Sequence, residues 1–208
     1  MVRHGRHGGS RRIESPIRQR MVTEAARIMA EDGVRDYQMA KRKAAHRLNL
    51  PDDKNWPTNV EIEAALKDHL QLFHQGHSEE LRALRETAVW AMDLLAPFEP
   101  RLVGEVLSGA LPRFPEVQLH LAADSLEDVD LFLSAHEIPH DLEERRLRYG
   151  RERHDLIPVL RFVAGDTPFA LYVLTARAMR EAPLSPVDGQ PMPRANRKEV
   201  TALIAANA

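Results

Sequence analysis

The hydrophobic period changes once along this chain, near residue 100, and that change limits what the chain can fold into. Before it, apolar residues recur every three or four positions. After it, short apolar runs and alternation take over. In the first half Ile17, Met21, Ala25 and Ile28 mark one helix, opened by Ser15-Pro16 and ended by Asp32-Gly33. Tyr37, Ala40, Ala44 and Leu48 mark a second. Thr58 and Glu61 have capping-box spacing ahead of a third, lined by Ile62, Leu66, Leu70 and Phe73. Gly76 breaks that helix, and Ser78 is placed to cap a fourth. There Leu81, Leu84, Ala88, Ala91 and Leu95 form a stripe expected to be the main seam against Leu66, Leu70 and Phe73.

In the second half, Leu102–Leu107 is an apolar run expected to be a strand ending at Ser108-Gly109. Val117, Leu119 and Leu121 alternate with Gln118 and His120, a strand with one wetter face. Ser125 and Asp128 fit a second capping box, opening a helix to His136. An extended stretch from Ile138 to Arg148 comes next, then Leu156–Val163 and Phe169–Leu174 joined by a tight Ala164-Gly165-Asp166-Thr167 turn. Pro183, Pro186, Pro191 and Pro193 keep the next segment irregular, and Asn196 with Glu199 caps a last short helix. The expected class is α+β: an N-terminal helical region followed by a small mixed sheet. The divisions are a flexible basic arm (1–15), a helical region (16–97), an α+β domain (98–182), and a Pro-rich segment with a C-terminal helix (183–208).

Charge is uneven. Residues 1–20 carry six Arg and one Glu, while residues 58–100 carry three basic and eight acidic residues, so a basic arm precedes an acidic body. With no cysteine, disulfides, Cys-ligated zinc and thiol nucleophiles are excluded. No apolar run is long enough for a membrane span and no signal-peptide core stands at the N-terminus, so a cytoplasmic protein without a membrane partner is expected. A Gly-x-x-x-x-Gly-Lys-Ser/Thr loop, a Gly-x-Ser-x-Gly elbow and a His-Glu-x-x-His helix are all missing. The second helix carries Lys41, Arg42, Lys43, His46 and Arg47, which read either as a solvated face or as part of a DNA-binding helix pair.

Across residues 98–182, the order strand, Ser-Gly, loop, alternating strand, helix resembles the core of the nucleotidyltransferase superfamily, the polymerase-beta-like fold. The resemblance implies that the backbone at Ser108-Gly109 approaches nucleotide phosphates. It also implies that Gln118 and His120 stand where two Mg²⁺-binding carboxylates alternate, and Phe169-Ala170-Leu171-Tyr172 offers no third acid. The chain is similar in this respect to an uncharacterised bacterial family with a helical N-terminal part and a degenerate core. On that resemblance the chain is expected to be a pseudoenzyme with no catalytic residues, no metal and no cofactor, acting by binding or regulation. Its nucleotide-binding candidates are Ser108, Gly109, Gln118 and His120, and its partner is a nucleotide, a nucleic acid or a protein. The alternative is an active Mg²⁺-dependent nucleotidyltransferase with a displaced carboxylate site that includes Glu116; a DNA-binding regulator using the N-terminal helices is a third reading.

The polyanion-binding candidates are Arg145, Arg146, Arg148, Arg151 and Arg153, with Tyr149 beside them as a base-stacking surface. Alternation puts Arg146 and Arg148 on one strand face and Arg145 on the other. The competing reading is a hairpin tip ion-paired with Glu143, Glu144, Glu152 and Asp155.

Overall fold

Several helices of this chain begin where a side chain satisfies the first free backbone N–H groups. The computed structural model describes residues 16–51, 56–73, 76–150 and 152–206. The expected basic arm and Arg151 lie outside the described residues. Four helices come first: α1 (Pro16–Asp32), α2 (Tyr37–Arg47), α3 (Asn59–Phe73) and α4 (His77–Leu94). Asp36 caps α2 by accepting from the Met39 N–H at 2.6 Å. Thr58 and Glu61 bond reciprocally at the start of α3, the Glu61 N–H reaching Thr58 Oγ1 at 3.2 Å. At α4 the expectation fails in detail. Gly76, in the left-handed region at φ 83°, holds the N-cap position without a side-chain bond, and Ser78 lies inside the first turn.

The second half forms one five-stranded sheet: β1 (Arg101–Val103), β2 (Val117–Ala122), β3 (Asp141–Arg148), β4 (His154–Ala164) and β5 (Thr167–Leu174). The spatial order is β1-β2-β5-β4-β3, with β2 and β5 parallel and the other neighbours antiparallel. Between these strands and after them lie α5 (Gly104–Ser108), α6 (Leu126–Ala135), α7 (Ala176–Arg180) and α8 (Arg197–Ala206). The α+β class therefore holds, helices first and mixed sheet second. Leu102–Leu107 is not one strand, however: β1 ends at Val103 and the rest of that run is α5. The second capping box forms as expected, with Ser125 and Asp128 bonded reciprocally at the start of α6.

Two apolar clusters hold the chain together. One joins α1, α2 and α3 through Met21, Ile28, Ala40, Ala44, Ile62 and Leu70, and the α5–β2 loop inserts Ala110 into it. The larger one lies on one face of the sheet, where Leu119, Leu160, Phe169 and Leu171 meet Val129 and Leu133 of α6 and Val200 of α8. Leu84, Ala88, Ala91 and Leu95 belong to this second cluster, so the α4 stripe packs on the sheet core and not in a seam with Leu66 and Leu70. The Phe73 side chain lies outside the described set. The stripe was legible; its partner was not, because apolar burial is non-directional and spacing does not say which surface a helix covers. Arg85 of the same helix donates from Nε to the Val106 carbonyl and from Nη2 to the Leu107 carbonyl, both at 3.1 Å, and so satisfies the end of α5. Among the described residues no helix is long and apolar enough to cross a membrane.

Leu95 is fully buried in the sheet cluster. Leu95→Ala is expected to destabilise the fold by about 2–5 kcal/mol in urea titrations. A loss under about 0.5 kcal/mol would be the response of a surface site and would contradict this packing.

Candidate functional site on the polar sheet face

Residues paired across neighbouring strands share a face, so the register sorts the sheet into two surfaces. Leu102, Leu119, Leu171 and Leu160 align across four strands on the apolar face. The opposite face aligns His120 with Tyr172, Val159 and Glu143, and Gln118 with Ala170 and Arg161. Glu116 precedes β2 on this second face, two residues before Gln118.

Glu116 is the buried charge of the site, 4 % exposed. Arg161 is ion-paired to its Oε1, and Arg35 Nη1 approaches its Oε2 at 3.3 Å from the α1–α2 connection. Gln118 Nε2 lies 3.5 Å from the same Oε2, at the outer limit of a hydrogen bond. Beyond Arg161, Glu143 Oε1 accepts from Arg161 Nη1 at 3.3 Å and from Arg145 Nε at 2.9 Å. A chain of alternating charges, Arg35–Glu116–Arg161–Glu143–Arg145, thus runs from the helical region across the sheet to β3.

Glu105, at the start of α5, accepts the Glu116 backbone N–H at 2.8 Å and lies 3.4 Å from Arg35 Nη2. Burial pushes its carboxyl up to about 7, against the opposing pull of Arg35. Tyr37 donates its hydroxyl to Glu63, and burial with that carboxylate raises the phenol well above its ordinary range.

His120 departs from the sequence expectation of a polar residue on the wetter side. It is 1 % exposed, its Nδ1 finds no hydrogen-bond partner among the described residues, and burial with the Arg194 charge pushes its imidazole down to about 3. Arg194 belongs to the irregular segment after α7. That segment begins beside β3, where the Leu184 N–H donates to the Arg148 carbonyl at 2.6 Å, and ends beside β1, where Ala195 and Leu102 exchange backbone bonds of 2.8 and 2.9 Å.

The structure separates the other nucleotide-binding candidates. Ser108-Gly109 is the C-terminal end of α5, where Gly109 at φ 83° donates to the Glu105 carbonyl at 2.8 Å. The glycine directly after β1 is Gly104, at φ 71°, and a Cβ there would stand 2.6 Å from Gln118 Oε1. Gln118 is therefore packed against the N-terminal end of α5, with Ser108-Gly109 at the other end.

The arginine hairpin divides as alternation requires. Arg145 lies on the polar face with Glu143, while Arg146 pairs with Leu156 and Arg148 with His154 on the other face. Arg153 donates to Glu181 at 2.7 Å and sits 4.8 Å above the Tyr149 ring. Tyr149 is itself buried, so its ring packs under Arg153 rather than standing open to a base. Arg146 and Arg148 form no ion pair among the described residues. Sequence reading names Glu116 only in the alternative of a displaced carboxylate site, and does not name Arg35, Glu105 or Arg161. Arg35 lies 81 and Arg161 45 residues from Glu116, and no local spacing signals a pairing at that distance.

Among the described residues no group of three or more His, Asp and Glu is arranged to hold a metal ion. Comparison with protein-family models, with curated proteins and with solved structures finds no match.

The titration of Glu105 has a defined sign. Its folded value of about 7 lies above the ordinary 4.5, so between those values the native state holds a proton that the unfolded chain has released. Stability on this account falls as pH rises from about 4.5 to 7 and is level above. His120 acts in the opposite sense: its folded value of about 3 lies below the ordinary 6.5, so its contribution is complete above 6.5 and is lost as pH falls from there to 3. Glu105→Gln is expected to remove the first slope, so that the variant gains on the order of 2–3 kcal/mol over wild type between pH 4.5 and pH 7.5. Urea unfolding at matched pH values measures the difference, and parallel curves would show that Glu105 ionises as freely in the folded state as in the unfolded one.

Proposed function

We propose that the protein is a non-catalytic nucleotidyltransferase-like protein that works by binding an anionic ligand, a nucleotide or RNA, on its polar sheet face. The observation that carries this reading is the state of the two strand positions where transfer chemistry needs metal-binding carboxylates. One is the neutral amide of Gln118, set against Gly104; the other is His120, buried and held neutral. Phosphoryl-type transfer depends on cations that neutralise developing charge, and those cations need anionic oxygen ligands. The nearest acid, Glu116, already faces two guanidinium groups.

Binding draws its support from the arginines that remain partly exposed beside this face. Arg35, Arg145 and Arg161 have side-chain exposures of 43, 52 and 34 %. Planar guanidinium groups suit phosphate oxygens, and an incoming phosphate would compete with Glu116 and Glu143 for them.

The test joins binding to turnover. Titration calorimetry with the common nucleoside triphosphates and a short single-stranded RNA, with and without Mg²⁺, is expected to show binding that weakens in Arg145→Ala and falls with salt. A parallel assay is expected to find no transfer. Turnover that disappears in Glu116→Gln would overturn the non-catalytic reading, and lack of any binding would overturn the ligand class.

A further inference from the structure

The outer edge of β3 is self-complementary, and we infer that two copies of the chain pair antiparallel along it with Glu144 at the two-fold axis, making one continuous ten-stranded sheet from two five-stranded ones. β3 is the last strand of the sheet, bonded to β4 on one side. The hairpin closure fixes which backbone groups face outward. Tyr149 N–H donates to the Arg153 carbonyl at 2.9 Å, so odd-numbered residues of β3 bond to β4 and even-numbered ones point away. Pro158 agrees with this phase: it stands opposite Glu144 and has no N–H to exchange. Leu142, Glu144 and Arg146 therefore direct their N–H and C=O groups outward. The next outward carbonyl, that of Arg148, is taken by the Leu184 N–H at 2.6 Å.

These constraints select one register. Two identical antiparallel strands related by an axis normal to the sheet keep the same face, so paired residue numbers must sum to an even value. Centring on Glu144 pairs Glu144 with the partner's Glu144, and Leu142 with the partner's Arg146. That uses all three open residues and stops short of the Leu184 bond. Centring on Arg145 would run Leu142 against the Arg148 carbonyl, which the Leu184 N–H already occupies, and would leave only the Glu144–Arg146 pairs to bond. In the chosen register Glu143 lies opposite the partner's Arg145, twice by symmetry, which extends the polar-face charge chain into the second copy. On the other face Leu142, 57 % exposed, lies along the aliphatic stem of the partner's Arg146. The like pair at the axis is flanked on both sides by Arg146 and the partner's Arg146, two residues along on that face. A charged edge ordinarily keeps strands apart. Here both signs are present, in an order that brings opposite charges together in one register.

The chain has no cysteine, so a single introduced thiol reports the register directly. Hydrogen-bonded antiparallel partners have Cα atoms about 5.5 Å apart, within the range a disulfide spans. Sedimentation equilibrium of the wild type over a concentration series is expected to show a monomer–dimer equilibrium. Glu144→Pro removes one outward N–H and none of the β4 bonds, and is expected to weaken the dimer at least about tenfold while circular dichroism stays that of the wild type. Glu144→Cys is expected to oxidise to a covalent dimer faster than Arg146→Cys, whose like positions lie four residues out of step. A wild type that stays monomeric, a dimer indifferent to Glu144→Pro, or equal cross-linking of the two cysteine variants would each overturn the proposal.

Discussion

The carboxylate of Glu116 is the interaction on which the arrangement of the two parts depends. It is almost wholly removed from water, and a charge so placed is tolerated only where paired. Its two partners come from different parts of the chain: Arg161 from β4, Arg35 from the connection between the first two helices. Removing one partner of such a buried pair generally costs about 3–5 kcal/mol, because the remaining charge is left without compensation. The pairing therefore ties the connection between the first two helices to the sheet at the one place where Glu116 is compensated. Arg35 reinforces it by donating to the Phe114 carbonyl at 2.5 Å, and the Phe114 ring lies 3.6 Å from the position a Cβ on Gly33 would take.

Around this pair the polar face divides into charges that are kept and charges that are suppressed. Arg35, Glu116, Arg161, Glu143 and Arg145 alternate in sign, so each is compensated by a neighbour. Glu105 lies 3.4 Å from Arg35, yet burial outweighs that guanidinium and raises its carboxyl, while His120 is held towards its neutral form by burial with the Arg194 charge. In both groups burial is the largest cause, and at Glu105 the nearby guanidinium does not overturn it.

Much of the fold was legible because it is encoded within a few residues. The Thr58–Glu61 and Ser125–Asp128 capping boxes, the turn at Gly165 and the alternation of β2 all depend on short spacings. What sequence reading missed depends on long ones. The α4 stripe has the same spacing whether it covers helices or a sheet. The five residues of α5 are too few for a helical period to declare itself. His120 alternates as a solvent-facing residue does, yet it is buried, and spacing along β2 gives no sign of that. The candidate site was legible in the same uneven way: Gln118 and His120 share a face as alternation predicts, whereas Ser108-Gly109 was grouped with them because the α5 turn reads as strand.

Gly104 is held to glycine by two features of its place at the end of β1. Its positive φ and its closeness to Gln118 are two separate demands, and a side chain would violate both. In a phosphate-binding turn, a glycine at a strand end leaves room for the ligand to approach the backbone. In this chain the amide of Gln118 takes that room, and the same Gln118 reaches toward Glu116. A ligand entering there would have to displace an amide already packed, whereas Arg145 and Arg161 lie farther along the face with much of their surface still in water. The place beside Gly104 is thus filled by the protein's own side chain, while the arginines toward β3 keep more of their surface in water.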